Sequence, residues 1–367
     1  MPYFSRNPIV AEANAGSPFL KMELEVFIEK TTALDTYTSL GTFSFVADAD
    51  GDISEKIDSI LHAAMMSEIV DSLPDEESTA QLVPQLARKF YYRTREYASG
   101  AWSSWTDSST DFVVLGGQPY EEFANTFNTF STSAPTFLHS ENSILTINLA
   151  QGWVYFLAQS SGTASIVHRY WNKAQSASNT VTTTISVSRD FTVVRIPVVL
   201  PAANKSPFFG IEITVDGVTR SIALTSDQRY HKNVNEFAYL SSKGGWNFLP
   251  CHAPLSKTIE VAQQTAETVV SATYYNNDIA QYQVWDSKGR KKMRVATGYW
   301  PSAYLDVVIQ DFLLSRYRYW YSTEYNKWLP IVVDTKSASY ANDMGGDLNS
   351  FQFDFKPAFD SDIASPL

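Results

Sequence analysis

From Gln281 to Phe355 the sequence runs through short aromatic and β-branched stretches, broken by one stretch with helical spacing. Gln281–Trp285 reads as a strand, Ser287–Lys292 as a basic turn and Val295–Trp300 as the returning strand. After Pro301 the apolar spacing changes. Leu305, Val308, Ile309, Phe312 and Leu313 fall on one side of a helix over 302–314, with Ser302 as its N-cap. Tyr319–Tyr321, Trp328–Val333 and Phe351–Phe355 then return to strand character. No catalytic pattern interrupts this run, and it reads as a building block for assembly.

The rest of the chain is also strand-rich. With 367 residues, two or three domains are expected. Aromatic residues make up 14% and charged residues 18%, a balance that suits pleated surfaces and large interfaces better than helix bundles. In Leu20–Glu29 the apolar residues Leu20, Met22, Leu24, Val26 and Ile28 alternate with polar ones, so one face is buried and one wet. Gly41–Val46 is a second strand. Asp52 and Glu55 are spaced as a capping box, before an apolar stripe of Ile53, Ile57, Ile60, Leu61 and Ala64. Strand signals at Arg88–Tyr97 and Asp111–Leu115 complete a fibronectin-like β-sandwich over 20–116, preceded by a Pro-containing arm at 1–19 that a neighbour would order. Strands recur over 117–231 at intervals that suit a second sandwich or barrel. A hairpin around Gly244-Gly245 opens the third domain, 232–367, in which Lys257–Ala272 reads as an extended, protruding hairpin. The fold class is mainly β: several antiparallel sandwiches or barrels and one strong helix.

Charge and cysteine usage exclude several functions. The net charge of −11 opposes any grip on nucleic acid that depends on neutralising phosphates. The single cysteine, Cys251, rules out disulfide stapling within the chain. The first residues lack the charged and apolar segments of a signal peptide, and no apolar run is long enough to span a bilayer, so synthesis in a cytoplasm without membrane insertion is expected.

Candidate sites are sparse. Asp48–Asp52 opens like a calcium loop, but the positions that should hold Gly and the bidentate Glu are Ile53 and Ser59. Cys251 and His252 are adjacent, and on a strand they point to opposite faces, so the expected state is a buried thiol beside a surface imidazole. Glu121-Glu122 and Asp75–Glu77 are local carboxylate runs, which suit a solvated face better than a glycosidase cleft. Nucleophile-elbow, phosphate-loop, dinucleotide and zinc-protease motifs are lacking. No enzyme activity, cofactor or metal is expected. Trp102, Trp105, Trp153, Trp171 and the Tyr-rich stretch 317–325 suit either sugar stacking or sandwich cores and subunit seams. Lys288–Arg294 carries five positive charges, either as a solvated hairpin tip or as a contact with an acidic neighbouring subunit.

Several stretches carry a family resemblance: Asp52–His62, Leu115–Pro119, Trp153–Leu157 and Tyr239–Trp246, and most strongly Ala296–Trp300, Leu305–Leu314, Leu329–Asp334 and Asn349–Phe355. In these the chain resembles tail or baseplate structural proteins of phages and prophages of Bacteroidetes bacteria. The resemblance implies a structural virion protein without enzymatic activity, located in the tail. Its C-terminal domain would be a tail-tube-like or distal-tail-like barrel that forms a ring by pairing strands between neighbours. Partners would be copies of the chain in a ring or trimer, and other tail and fibre proteins. The basic stretch is unusual for a ring lumen and fits a contact between rings. The interface candidates are Lys288, Arg290, Lys291, Lys292, Arg294, Trp300, Tyr319 and Trp320. The alternative is a cell-surface or virion carbohydrate-binding β-sandwich protein, and a third reading is a glycan-degrading tail enzyme.

Overall fold

The computed structural model describes residues 2–14, 20–69, 79–117, 135–139, 144–146, 152–171, 178–198, 208–225, 234–267, 282–335, 348–359 and 363–364. It is mainly β, in multiple sheets that are antiparallel apart from two short parallel pairings, Pro2–Phe4 with Asp111–Val114 and Ile144–Thr146 with Val218–Thr225. Contacts divide the chain into two units: 1–228 with 240–248, and 229–239 with 249–367.

In the first unit, the alternation at Met22, Leu24, Val26 and Ile28 does what it predicts, and all four side chains are buried. Their strand, Lys21–Lys30, pairs with Ala33–Val46 on one side and Ala87–Ala98 on the other. Asp111–Val114 and then Pro2–Phe4 extend the sheet. Residues 2–14 are therefore not an arm awaiting a neighbour. Val10–Asn14 pairs with Asp52–Lys56, and Ala13 and Ile53 pack with Met22.

This pairing also overturns the capping box. Asp52 and Glu55 are strand residues, and the helix runs over Asp58–Ser67 with Ile57 at its N-cap and no side-chain cap bond. The Asp48 carboxylate closes the preceding turn, accepting from the backbone N–H groups of Asp50 (2.9 Å) and Asp52 (2.8 Å). Leu61, Met65 and Met66 bury the helix's inner side.

A second sandwich follows within the same unit. Trp153–Ala158, buried at every position, pairs with Thr192–Pro197, which also takes Gln81–Leu82. Gly162–Trp171 sits between Ser178–Val187 and Phe208–Val215 in a five-stranded sheet. Val154, Phe156, Val194 and Ile196 from one sheet meet Ile166, Ile211, Ile213 and Ile222 from the other in a single core. The strand carrying Glu29 is held to the turn before Thr192 by an ion pair between buried Glu29 and part-buried Arg189. Arg189 donates to the Glu29 carboxylate, which also accepts from the N–H groups of Asp35 (2.8 Å) and Lys89 (3.2 Å).

The second unit is built on the remaining sheet. Its strand order is Trp246–Cys251, Asn235–Leu240, Arg318–Ser322, Lys327–Val333, Gln352–Pro357, Tyr282–Ala296 and Ser256–Glu267, with Ile363–Ala364 also on Tyr282–Ala296. The expected barrel is not closed. A backbone bond from His252 N–H to Thr297 O (3.1 Å) links the chain just past two strand ends without growing into a ladder. The expected basic turn at 287–292 is absent as well, because Tyr282–Ala296 is one continuous strand. The helix Ser302–Leu314 lies where its spacing placed it. Leu305, Val308, Ile309 and Phe312 are buried, and the Phe312 ring lies 5.0 Å from Phe353 and 5.6 Å from Tyr239.

Candidate assembly surface

The strand Ser256–Glu267 is the outer edge of the second unit's sheet, and each of its residues is exposed. It pairs along its whole length with Tyr282–Ala296, with one register shift at Gln264/Thr265. Strand alternation sorts the two faces. Lys257 pairs with Met293, Ile259 with Lys291 and Val261 with Gly289; beyond the shift, Thr265 pairs with Val284 and Glu267 with Tyr282. Met293 and Val295 face the core and are buried. The same face continues outward past the core, where Ile259 (55% exposed), Val261 (57%), Val284 (54%) and Tyr282 (62%) stand in solvent. A row of β-branched and aromatic side chains beside an edge strand that has no further partner strand among the described residues invites another surface to cover it. Each is about half exposed, so covering it would contribute roughly 1 kcal/mol.

The same alternation splits the basic stretch. Arg290, Lys292 and Arg294 lie on the face opposite Met293, and Lys291 lies on the Met293 face. Arg294 grips Asp354 as a fork, Nε to Oδ1 at 2.5 Å and Nη2 to Oδ2 at 2.9 Å, and this bond holds the Asp354 carboxyl below the usual carboxylate range. Lys292 stands 3.6 Å from Glu260 and 3.7 Å from Asp354. Much of this charge is thus balanced within the unit. Arg290 is exposed, and Lys288 joins the ladder opposite Ala364. The three aromatic interface candidates are corrected outright. Trp300 (7% exposed), Tyr319 (5%) and Trp320 (6%) are buried. Trp300 Nε1 donates to Thr297 O, and the Trp320 ring packs 5.7 Å from Phe355. Large aromatics between apolar neighbours are spent on the core before they can serve a seam.

Other candidates resolve into structural roles. Cys251 is buried in the core, where desolvation raises its thiol pKa well above the ordinary value, so it is a poor nucleophile. His252 is half-buried against Trp300, with ring centroids 5.3 Å apart, where a surface imidazole was expected. Among the described residues, no three His, Cys, Asp or Glu side chains are placed to share a metal. Glu121-Glu122 and Asp75–Glu77 lie outside the described residues, as does the side chain of Trp171.

Two features escaped the sequence reading. The first is a ladder of stacked cations on the outer face of the N-terminal sheet. Arg95 lies over Trp105 (4.4 Å) and Trp102 (4.7 Å), and Arg93 over Trp105 (4.6 Å) and Phe27 (4.9 Å). Each guanidinium also forks onto an acid of the next strand, Arg95 on Glu23 and Arg93 on Glu25. The signal was the period-2 pair Arg93 and Arg95 followed by Trp102, on the short strand Ala101–Trp102, and Trp105, just before Thr106–Asp107. The second is a buried histidine. The Tyr155 N–H donates to His139 Nε2 (2.9 Å), which fixes the ring's proton on Nδ1 for donation to Asn247 Oδ1 (2.6 Å). Burial lowers this imidazole's pKa to about 4. The contact lies within the first unit, to which residues 240–248 belong. At Gly245 an added Cβ would come within 2.3 Å of Leu138 O, and at Gly244, where φ is +91°, within 2.4 Å of Leu115 O.

No family model matches the chain, and no curated protein matches it in sequence. Among solved structures, the crystal structure of the calcium-binding domain CBD12 of CALX1.1 is similar at 10% identity over 58% of this chain and 75% of that chain, with a TM-score of 0.17. A likeness at that score says nothing about this chain's site.

Proposed function

We propose that this chain is a structural, non-enzymatic component of a phage tail or baseplate, and that it joins copies of itself through the long hairpin of its second unit. One observation carries the reading. The core face of the strands Ser256–Glu267 and Tyr282–Ala296 extends past its own core and presents Ile259, Val261, Val284 and Tyr282 to solvent. Such a face is stable in water mainly when another surface covers it. Among the described residues no strand pairs with the outer side of Ser256–Glu267, the geometry that strand addition by the same neighbour would use. Sequence resemblance supplies the tail context, and with it the expected partners, neighbouring tail and fibre proteins, and the expected place in the virion.

The carbohydrate-binding alternative receives less support. Sugar stacking needs open aromatic faces, and the rings of Trp102 and Trp105 already carry Arg93 and Arg95. Trp153 is buried against Phe248, with centroids 5.4 Å apart. An antibody to the chain, applied to purified phage particles and viewed by negative-stain microscopy, tests the reading. Label at the tail end supports it. Particles that lack the protein, in a lysate that contains it, would refute it.

A further inference from the structure

The core of the second unit opens to solvent at a cleft of about 230 Å³. Trp320, Met293 and Leu329, all largely buried, form its floor, with Phe359 exposed at one side. Three lysines, Lys257, Lys291 and Lys327, stand around it with a single acid, Glu324. Lys257 is paired with that acid at 3.3 Å. Lys291 and Lys327 have no acidic partner among the described residues. An apolar floor thus sits beneath two lysines without an acidic partner among the described residues, in a chain whose net charge is −11.

We infer that this cleft binds an acidic protein segment, seating one aromatic or long aliphatic side chain on Trp320 and Leu329 while flanking carboxylates meet Lys291 and Lys327. The lining favours a protein segment, because an apolar floor ringed by lysines matches an apolar anchor flanked by carboxylates. It suits a single anchoring side chain of the kind that dominates protein interfaces. The lysines supply complementarity and orientation more than bulk affinity. A nucleic acid would have to approach against the whole chain's negative charge. The inference stands on the cleft's own lining and does not rest on the assembly reading.

The probe is the blocked peptide Asp-Asp-Phe-Asp-Asp, titrated calorimetrically into the full chain. Its controls are Lys-Lys-Phe-Lys-Lys and Asp-Asp-Ala-Asp-Asp. The acidic phenylalanine peptide is expected to bind. The alanine control should bind at least about fivefold more weakly, because the anchor is gone. The variant carrying Lys291→Glu and Lys327→Glu should bind the acidic peptide at least about tenfold more weakly, with circular dichroism confirming its fold. Raising salt from roughly 50 to roughly 500 mM should weaken binding as screening shortens. The same titration is run on the variant Tyr282→Asp, Val284→Asp, whose changes lie on the exposed face beyond the register shift and away from Lys291. Binding there but not to the unaltered chain supports the cleft and shows that a neighbouring copy covers it. Equal binding of the basic peptide, or unchanged affinity after both charge reversals, overturns the inference. So does a lack of heat up to about millimolar peptide on both forms, a concentration at which even weak contacts register.

Discussion

The pair Glu29–Arg189 gives the sharpest test of how the first unit is held together. Glu29 is 1% exposed and accepts from Arg189 and from two backbone N–H groups, while Arg189 Nη2 also donates to Ala87 O (3.1 Å). Glu29→Ala removes the acceptor for all three donors and leaves a part-buried guanidinium near Arg88, itself buried. Breaking such a pair costs about 3–5 kcal/mol. Glu29→Gln keeps the volume and an acceptor oxygen, so it should cost about half as much. In a unit of this size the alanine change corresponds to a fall of about 6–20 °C in melting temperature. The decisive assay is a double-mutant cycle in urea. Arg189→Ala alone strands the carboxylate, whereas Glu29→Ala with Arg189→Ala removes both charges. The double variant should therefore be at least about 2 kcal/mol more stable than the sum of the two single losses implies. Single losses that simply add within about 0.5 kcal/mol would show that the two groups do not depend on each other, and the argument would fail.

Three further outcomes follow from buried and half-buried groups. Folded His139 titrates at about 4 against 6.5 for the free ring, so between those values the unfolded chain holds a proton that the folded chain lacks. The first unit's stability should be full above pH 6.5 and fall by about 3 kcal/mol as pH drops through 4, and a flat profile in urea titrations across that window would contradict it. Glu236 behaves in the opposite sense: burial raises its carboxyl to about 8, so its contribution is full below about 4.5 and declines as pH rises to 8. Glu236→Gln should stabilise the second unit at pH 8 and leave it unchanged at pH 4, as read by thermal melts; destabilisation at pH 8 would contradict it. Phe312→Ala should cost about 3–5 kcal/mol in denaturant, since the ring sits among Phe237, Tyr239 and Phe353; a loss under about 1 kcal/mol would contradict the packing.

Where the sequence was informative, a strong periodicity coincided with full burial. Met22 to Ile28 and Leu305 to Phe312 each place every inward residue in a core, so local spacing and tertiary packing agree. The misreadings share a different cause. Asp52–Glu55 has the spacing of a capping box, but its strand partner is Val10–Asn14, 38 to 46 positions away and too short to signal itself. Ser287–Lys292 looks like a turn because it is polar, yet alternation across a two-faced ribbon accommodates a charged row as readily as a loop does. Trp300, Tyr319 and Trp320 could not be assigned to core or seam from residue type alone, because aromatics serve both. The extended character of Lys257–Ala272 was legible from its β-branched residues, but not the exposed face at Ile259 and Val261. That this face outruns the core could be learned only from the pairing register.

The central claim is that the hairpin's apolar face is covered by a second copy of the chain. Sedimentation equilibrium of the unaltered chain beside the variant Ile259→Asp, Val261→Asp measures this directly. The account predicts that the unaltered chain sediments as a multiple of 41.1 kDa and that the folded variant sediments at 41.1 kDa. An unaltered chain that stays at 41.1 kDa at concentrations of roughly 100 μM, or a variant that assembles as well as it does, would contradict it.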